Sequence, residues 1–361
     1  MSPKRVLSSL AIAVTVAVFI AITFLAAPLR SQSHSPALLV LEKADHKLAI
    51  VDPIKLTVTA RVPAGPDPHE VAVSSDGKLA YISNYGGTDS DLHTISVVDL
   101  AARKALQPID ISPLHSAHGL DFVGGKLYFT AETNKVIGRY DPATRRVDWI
   151  LGTGQDRTHM VWVAPSLDRI FTSNVNSGTI SIIEYVTPPS PGFTPPGGLR
   201  KTWEVTDVRS GRGSEGFDVS PDGKEIWAAN AQDATVTIID VARQKAKQTF
   251  AIPVQGANRL KFTLDGKYVL VSGLGGPRLQ GQNSAPNLVV IDAANRKEVK
   301  RLSLGGGAAG ILMQPGGSRA YVAVSGANKV AVIDLNTFQI AGEIATGRGP
   351  DGMAWVGRGS D

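Results

Sequence analysis

The chain has 361 residues, a formal net charge of +5, 43% hydrophobic and 19% charged residues, 37 glycines and no cysteine. That apolar fraction suffices for a continuous core, and the glycines suit short strands joined by tight turns. The lack of cysteine excludes disulfides, thiolate metal sites, a cysteine nucleophile and a lipoprotein anchor, and with no Lys/Arg-rich or aromatic-interleaved basic run there is no basis for a nucleic-acid surface.

Lys4 and Arg5 precede an uncharged apolar run from Val6 to Ala27. The run matches the ~20 residues needed to span a bilayer and exceeds the ~7–15 of a usual signal-peptide core. Residues 1–30 are therefore expected to be a signal peptide or an N-terminal membrane anchor. Residues 31–36 read as a polar linker. With the basic end inside, everything after it is expected to be exported, periplasmic or extracellular, touching the membrane only through this segment.

From residue 37 onward an acid closes a Val/Ile-rich strand seven times: Asp52 in LAIVDP, Asp99 in ISVVDL, Asp141 in VIGRYDP, Glu184 in ISIIEY, Asp240 in VTIIDV, Asp292 in LVVIDA and Asp334 in VAVIDL. The spacing of roughly 40–60 residues is that of a four-stranded propeller blade. Each period adds an alternating strand (HEVAV at 69–73), a tight turn (SDGK at 75–78) and a β-branched or aromatic strand ending in Ser-Asn (YISN at 81–84). Period-two alternation with Asp-Gly or Gly-Gly turns predicts hairpins. The expected fold is all-β: a seven-bladed β-propeller of four-stranded antiparallel blades over 37–361. The acids themselves read as turn formers, because an Asp side chain can accept the backbone N–H groups that follow it.

Leu38–Leu41 matches a second strand, so blade 1 lacks its own first strand. Asp351–Val356 matches a first strand with nothing after it. The C-terminal strand is thus expected to complete blade 1 and to remove an open sheet edge.

The units SSDGKLAYISN, SPDGKEIWAAN and VIDL resemble those of the YVTN-type β-propeller repeat proteins, over essentially everything after the N-terminal segment. The resemblance implies the seven-bladed fold and an exported binding or surface protein. Blades 6 and 7 depart from it, with Gly273 and Val324 where other blades end strand two in Asn.

One position varies from blade to blade. The residue opening each inner strand, two before its first core residue, is Asp351, His69, His118, His159, Glu215, Asn258 and Ala309 from blade 1 to blade 7. In a propeller these crowd the channel mouth, with Arg157 and Arg259 alongside. Imidazoles and carboxylates in a concave mouth suit a small anionic ligand or a divalent metal. The expected ligand-binding set is His69, His118, His159, Glu215, Asn258, Arg259 and Asp351, with His69, His118 and His159 as metal ligands if a divalent ion is bound.

Two Gly/Asp/Gln/Asn-rich loops, 85–93 and 273–287, are expected to open on the same face, where Arg278, Gln280 and Gln282 could dip towards the mouth. A proline-dense insertion, 185–200, is expected to project from the opposite rim. No nucleophile elbow is present, and Gly305–Gly307 precedes a strand, where a phosphate loop needs a helix. The favoured function is an exported, monomeric binding protein taking a small molecule or an envelope protein on the upper face. The alternative is a metal-assisted hydrolase or lyase, lactonase-like, at the channel mouth.

Overall fold

Each repeat folds as one four-stranded antiparallel sheet, and seven such sheets make a propeller. The computed structural model describes residues 36–86, 92–188, 198–276 and 286–357. The N-terminal apolar run, the centres of the 85–93 and 273–287 loops with Arg278, Gln280 and Gln282, and most of the proline-dense insertion lie outside the described residues.

The strand ending in Ser-Asn is the second of its blade and is buried on both faces, as in Leu79–Asn84 and Arg169–Asn174. No sheet covers both of its own faces, so the core lies between neighbouring blades. Leu38, Val40 and Val51 of blade 1 pack on Tyr321, Val330 and Val332 of blade 7. Trp227 and Ile238 of blade 5 pack on Leu260, Val269 and Val289 of blade 6.

Closure is carried by the C-terminal strand, Pro350–Val356, which pairs antiparallel with Ala37–Glu42. Met353 lies opposite Val40, and Trp355 opposite Leu38. The first and last described strands are therefore neighbours in one sheet.

The recurrent acids shape turns. Asp52 Oδ1 accepts the N–H groups of Ile54 and Lys55, and Asp334 Oδ1 those of Asn336 and Thr337. Asp99, Asp141, Asp240 and Asp292 each accept one N–H two or three residues on. Glu184, one methylene longer, instead takes Arg169 and Gln244. In the first hairpin of blade 2, Asp76 Oδ1 accepts from Ser74 Oγ and from the Lys78 N–H, and Gly77 has φ 71°. Such a φ favours glycine.

Two blades depart from the regular pattern. The outer strand of blade 2 is split into Lys104–Ala105 and Ile109–Asp110, a break that contains Pro108, which has no N–H to give the ladder. The inner strand of blade 7 is only Ile311–Met313, preceded by Gly305–Gly307 and Gly310.

Candidate functional site at the channel mouth

The inner strands share a local distortion that aims their first side chains. In blades 1 to 6 one residue pairs with the end of strand two: Pro350 with Glu42, Pro68 with Asn84, Ala117 with Ala131, Thr158 with Asn174, Ser214 with Asn230 and Ala257 with Gly273. The register then slips before the next core pair in each case. Asp351, His69, His118, His159, Glu215 and Asn258 are the residues directly after that pair. A bulge re-aims a side chain out of the pleat and is common beside functional sites.

Hydroxyls lock these positions from the neighbouring blade. Thr130 Oγ1 accepts the Gly119 N–H and donates to the His159 carbonyl, at 2.9 and 2.6 Å. Ser173 accepts from Met160 N–H and donates to the Glu215 carbonyl. Gly119 and Gly352 leave room for the approach, since a Cβ on either would lie 2.5 Å from the His159 carbonyl oxygen or 2.3 Å from that of His69.

The three histidines meet. His69 Nε2 lies 3.2 Å from Asp67 Oδ1, and its Nδ1 lies 3.1 Å from His118 Nε2. The His118 and His159 rings stack with centroids 3.7 Å apart. His159 then sits between two carboxylates, with Nδ1 on Glu132 Oε1 and Nε2 at 2.9 Å from Glu215 Oε2. Arg157 Nε reaches Glu132 at 3.2 Å, and Tyr85 donates its hydroxyl to the same carboxylate at 2.7 Å. Across the channel, Arg259 Nη2 donates to Glu70 Oε1 at 2.6 Å and Nη1 lies 4.0 Å from Glu215. Asp351 lies 3.9 Å from both His69 Nδ1 and Lys43 Nζ. Asn258 joins only through Arg259, whose guanidinium it accepts. Ala309 brings no polar side chain.

Electrostatics divide the imidazoles. Burial, with His159 and His69 beside it, pushes His118 well below the ordinary histidine range, so this ring is neutral. Burial also disfavours charge on His159, but Glu215 and Glu132 outweigh it and raise its pKa. Burial of Glu215 is outweighed in turn by His159, Arg259 and Arg157, which bring it to about 2. Glu132 is held below its usual range by His159, Tyr85 and Arg157 against the same burial effect. The hydrogen bond from His69 lowers Asp67 to about 2, whereas burial raises Asp351. Burial and the Glu132 charge push Tyr85 to about 12.

Several members of this network were not among the sequence candidates. Lys43, Tyr85 and Glu132 are the residues directly after the end of strand two in blades 1, 2 and 3; blades 4 to 7 have Val175, Ala231, Leu274 and Ser325 there. Aligning that position would have found them. Glu70 and Arg259 occupy the place after the bulge residue where other blades have Gly119, Met160, Gly216, Gly310 and Gly352. As potential metal ligands, His118, Glu132 and His159 form the compact group, all buried, with one donor atom each within 4.8 Å of the others. His69 backs His118 and is not part of that group.

No family model matches the chain, and no curated protein matches it. Solved structures do. A functionally unknown protein from Desulfotomaculum acetoxidans superposes with TM-score 0.69 at 12% identity, covering 89% of this chain and 99% of its own. Hydrazine synthase of Kuenenia stuttgartiensis gives 0.63 at 19% identity, covering 79% and 88%. At these identities the likeness is one of fold: the chain is a seven-bladed β-propeller similar in architecture to both.

Proposed function

We propose that this protein is an exported propeller that binds a small organic anion in the channel mouth. The observation that carries the reading is the layering of charge there. Arg157 and Lys43 are the more open cations, each with 35% of its side chain exposed. The carboxylates of Glu132, Glu215 and Asp351 lie deeper, at 5%, 15% and 14%. Lys43 is held only by contacts of 3.8–3.9 Å, so it can turn to a ligand carboxylate at little cost. Tyr85 adds a hydroxyl in the same wall. A concave polar site with a few convergent donors is the usual form of a small-molecule pocket.

The test is a thermal-shift screen of chelator-treated, full-length protein against small mono- and dicarboxylic acids, with neutral polyols as controls. One acid class should raise the melting temperature, and Arg157→Gln and Lys43→Ala should each remove most of that rise. Stabilisation by no acid, or a rise indifferent to both substitutions, would sink the reading. Export is supported by the basic start and apolar run; fractionation of the native host should find the protein outside the cytosol, and a cytosolic location would refute that part.

A further inference from the structure

We propose that His118, Glu132 and His159 form a divalent transition-metal site at the floor of the mouth, with His118 coordinating through Nδ1. This inference deepens the anion-binding reading and rests on it only for what the metal would do, not for whether it binds.

The first observation is the donor set. Two imidazoles and one carboxylate, all buried, offer donor atoms within 4.8 Å of one another. With no thiolate, this nitrogen–oxygen set suits Zn²⁺, Co²⁺ or a similar ion, and three protein ligands leave a position open for an outside oxygen. The second observation is independent. His118 is 2% exposed, and its Nδ1 has no hydrogen-bond partner. A buried polar atom without a partner is costly and calls for an explanation.

The protons on the relay account for that atom. Asp67 is a carboxylate that also accepts the Gly86 N–H, so its contact with His69 Nε2 needs a proton on that nitrogen. Neutral His69 then carries its lone pair on Nδ1, which accepts from His118 Nε2–H at 3.1 Å. His118 is left with a lone pair on Nδ1, facing no donor. A metal-ligating histidine is ordinarily fixed in this way, its other N–H given to an acceptor that sets the tautomer. Here the acceptor is His69, itself oriented by Asp67. A bound cation would supply what His118 Nδ1 lacks, and it would offer an anionic ligand a coordination position between Arg157 and Lys43.

The experiment is titration of chelator-treated full-length protein with Zn²⁺ alone and Co²⁺ alone, read by calorimetry and by the visible absorption of bound Co²⁺. One equivalent should bind. His118→Ala and Glu132→Gln should each weaken binding at least about tenfold. His69→Gln, which leaves the ligands but removes the relay, should weaken it by about 10–100-fold. His93→Ala, at the rim beside Asp110, should leave it unchanged. Glu132→Gln keeps the shape of the side chain and carries the test if His118→Ala does not fold. Binding well below one equivalent, retention by both ligand variants, or loss through His93→Ala overturns the site. Because the acid screen uses metal-free protein, a failed titration leaves the anion reading standing, and a failed screen leaves the metal site standing.

Discussion

Arg259 and Glu70 are 189 residues apart, on blades 6 and 2, and their side chains meet across the channel at 2.6 Å. Both are largely withdrawn from water, with 10% and 15% of the side chain exposed. Removing the cation strands Glu70, whereas Glu215 keeps His159 and Arg157. Loss of one member of a buried pair costs about 3–5 kcal/mol; the residual exposure places Arg259→Met near the low end, at about 3 kcal/mol. Glu70→Gln should cost less, about 1–2 kcal/mol, because Arg259 retains Glu215 and the charge of Asp351. Removing both, in Arg259→Met/Glu70→Leu, should recover much of the loss, as apolar replacements of buried pairs often do. Equilibrium urea unfolding of the four proteins at fixed pH and salt gives the cycle, with a coupling of about 2 kcal/mol expected. The exposed pair Arg301–Glu298 is the control and should couple by less than about 1 kcal/mol. A coupling for Arg259–Glu70 no larger than this control would refute the cross-channel strut.

Three further outcomes follow from the same geometry. Burial raises Asp121 to about 6, so between pH ~4 and ~6 the folded state holds a proton that the unfolded state has lost, and stability falls as pH rises through that window. Asp121→Asn, which can still accept the Val163 N–H now held at 2.8 Å, should flatten that slope in urea titrations; an unchanged slope would exclude Asp121 as its source. Gly352→Ala places a Cβ 2.3 Å from the His69 carbonyl oxygen and should cost about 1–3 kcal/mol by urea unfolding, while a change within error would show that the blade 1–2 contact can yield. Asp334→Ala loses two N–H acceptors in an exposed turn and should lower stability by only about 1 kcal/mol; a collapse of the fold would show that the turn does more than terminate a hairpin.

The blade count and the ring closure were readable because both depend on local periodicity. Period-two strands, Asp-Gly turns and an orphan strand at each end have one topological solution that leaves no open edge. The bulge residues were readable for a related reason: each stands one place after the partner of a strand-two terminus, so a repeat alignment aligns them in space. Glu132 escaped because blade 3 ends strand two in Ala131, and without the Asn marker the following residue drew no notice. Glu70 and Arg259 escaped for a different reason. Their partnership spans the ring, and nothing in either local sequence encodes the other. Their size at a position where four other blades carry glycine was the available signal. The charge states of the histidines were beyond sequence altogether, because they depend on which ring nitrogen meets which neighbour.

The seam that closes the ring has a mechanical consequence. Ala37 and Val356 are opposite one another as the outermost pair of the first and last strands, followed inward by Leu38 with Trp355 and Leu39 with Ala354. The hydrogen bonds of an antiparallel pair lie perpendicular to the strands. Tension that draws the two ends of the propeller apart therefore acts along those bonds and loads the pairs one after another, a peeling geometry. The same bonds would share a load applied along the strands. The molecule is thus closed against thermal opening, which must separate the whole strand at once, yet compliant to a pull between its own ends, and blade 1 is where such a pull would open it first.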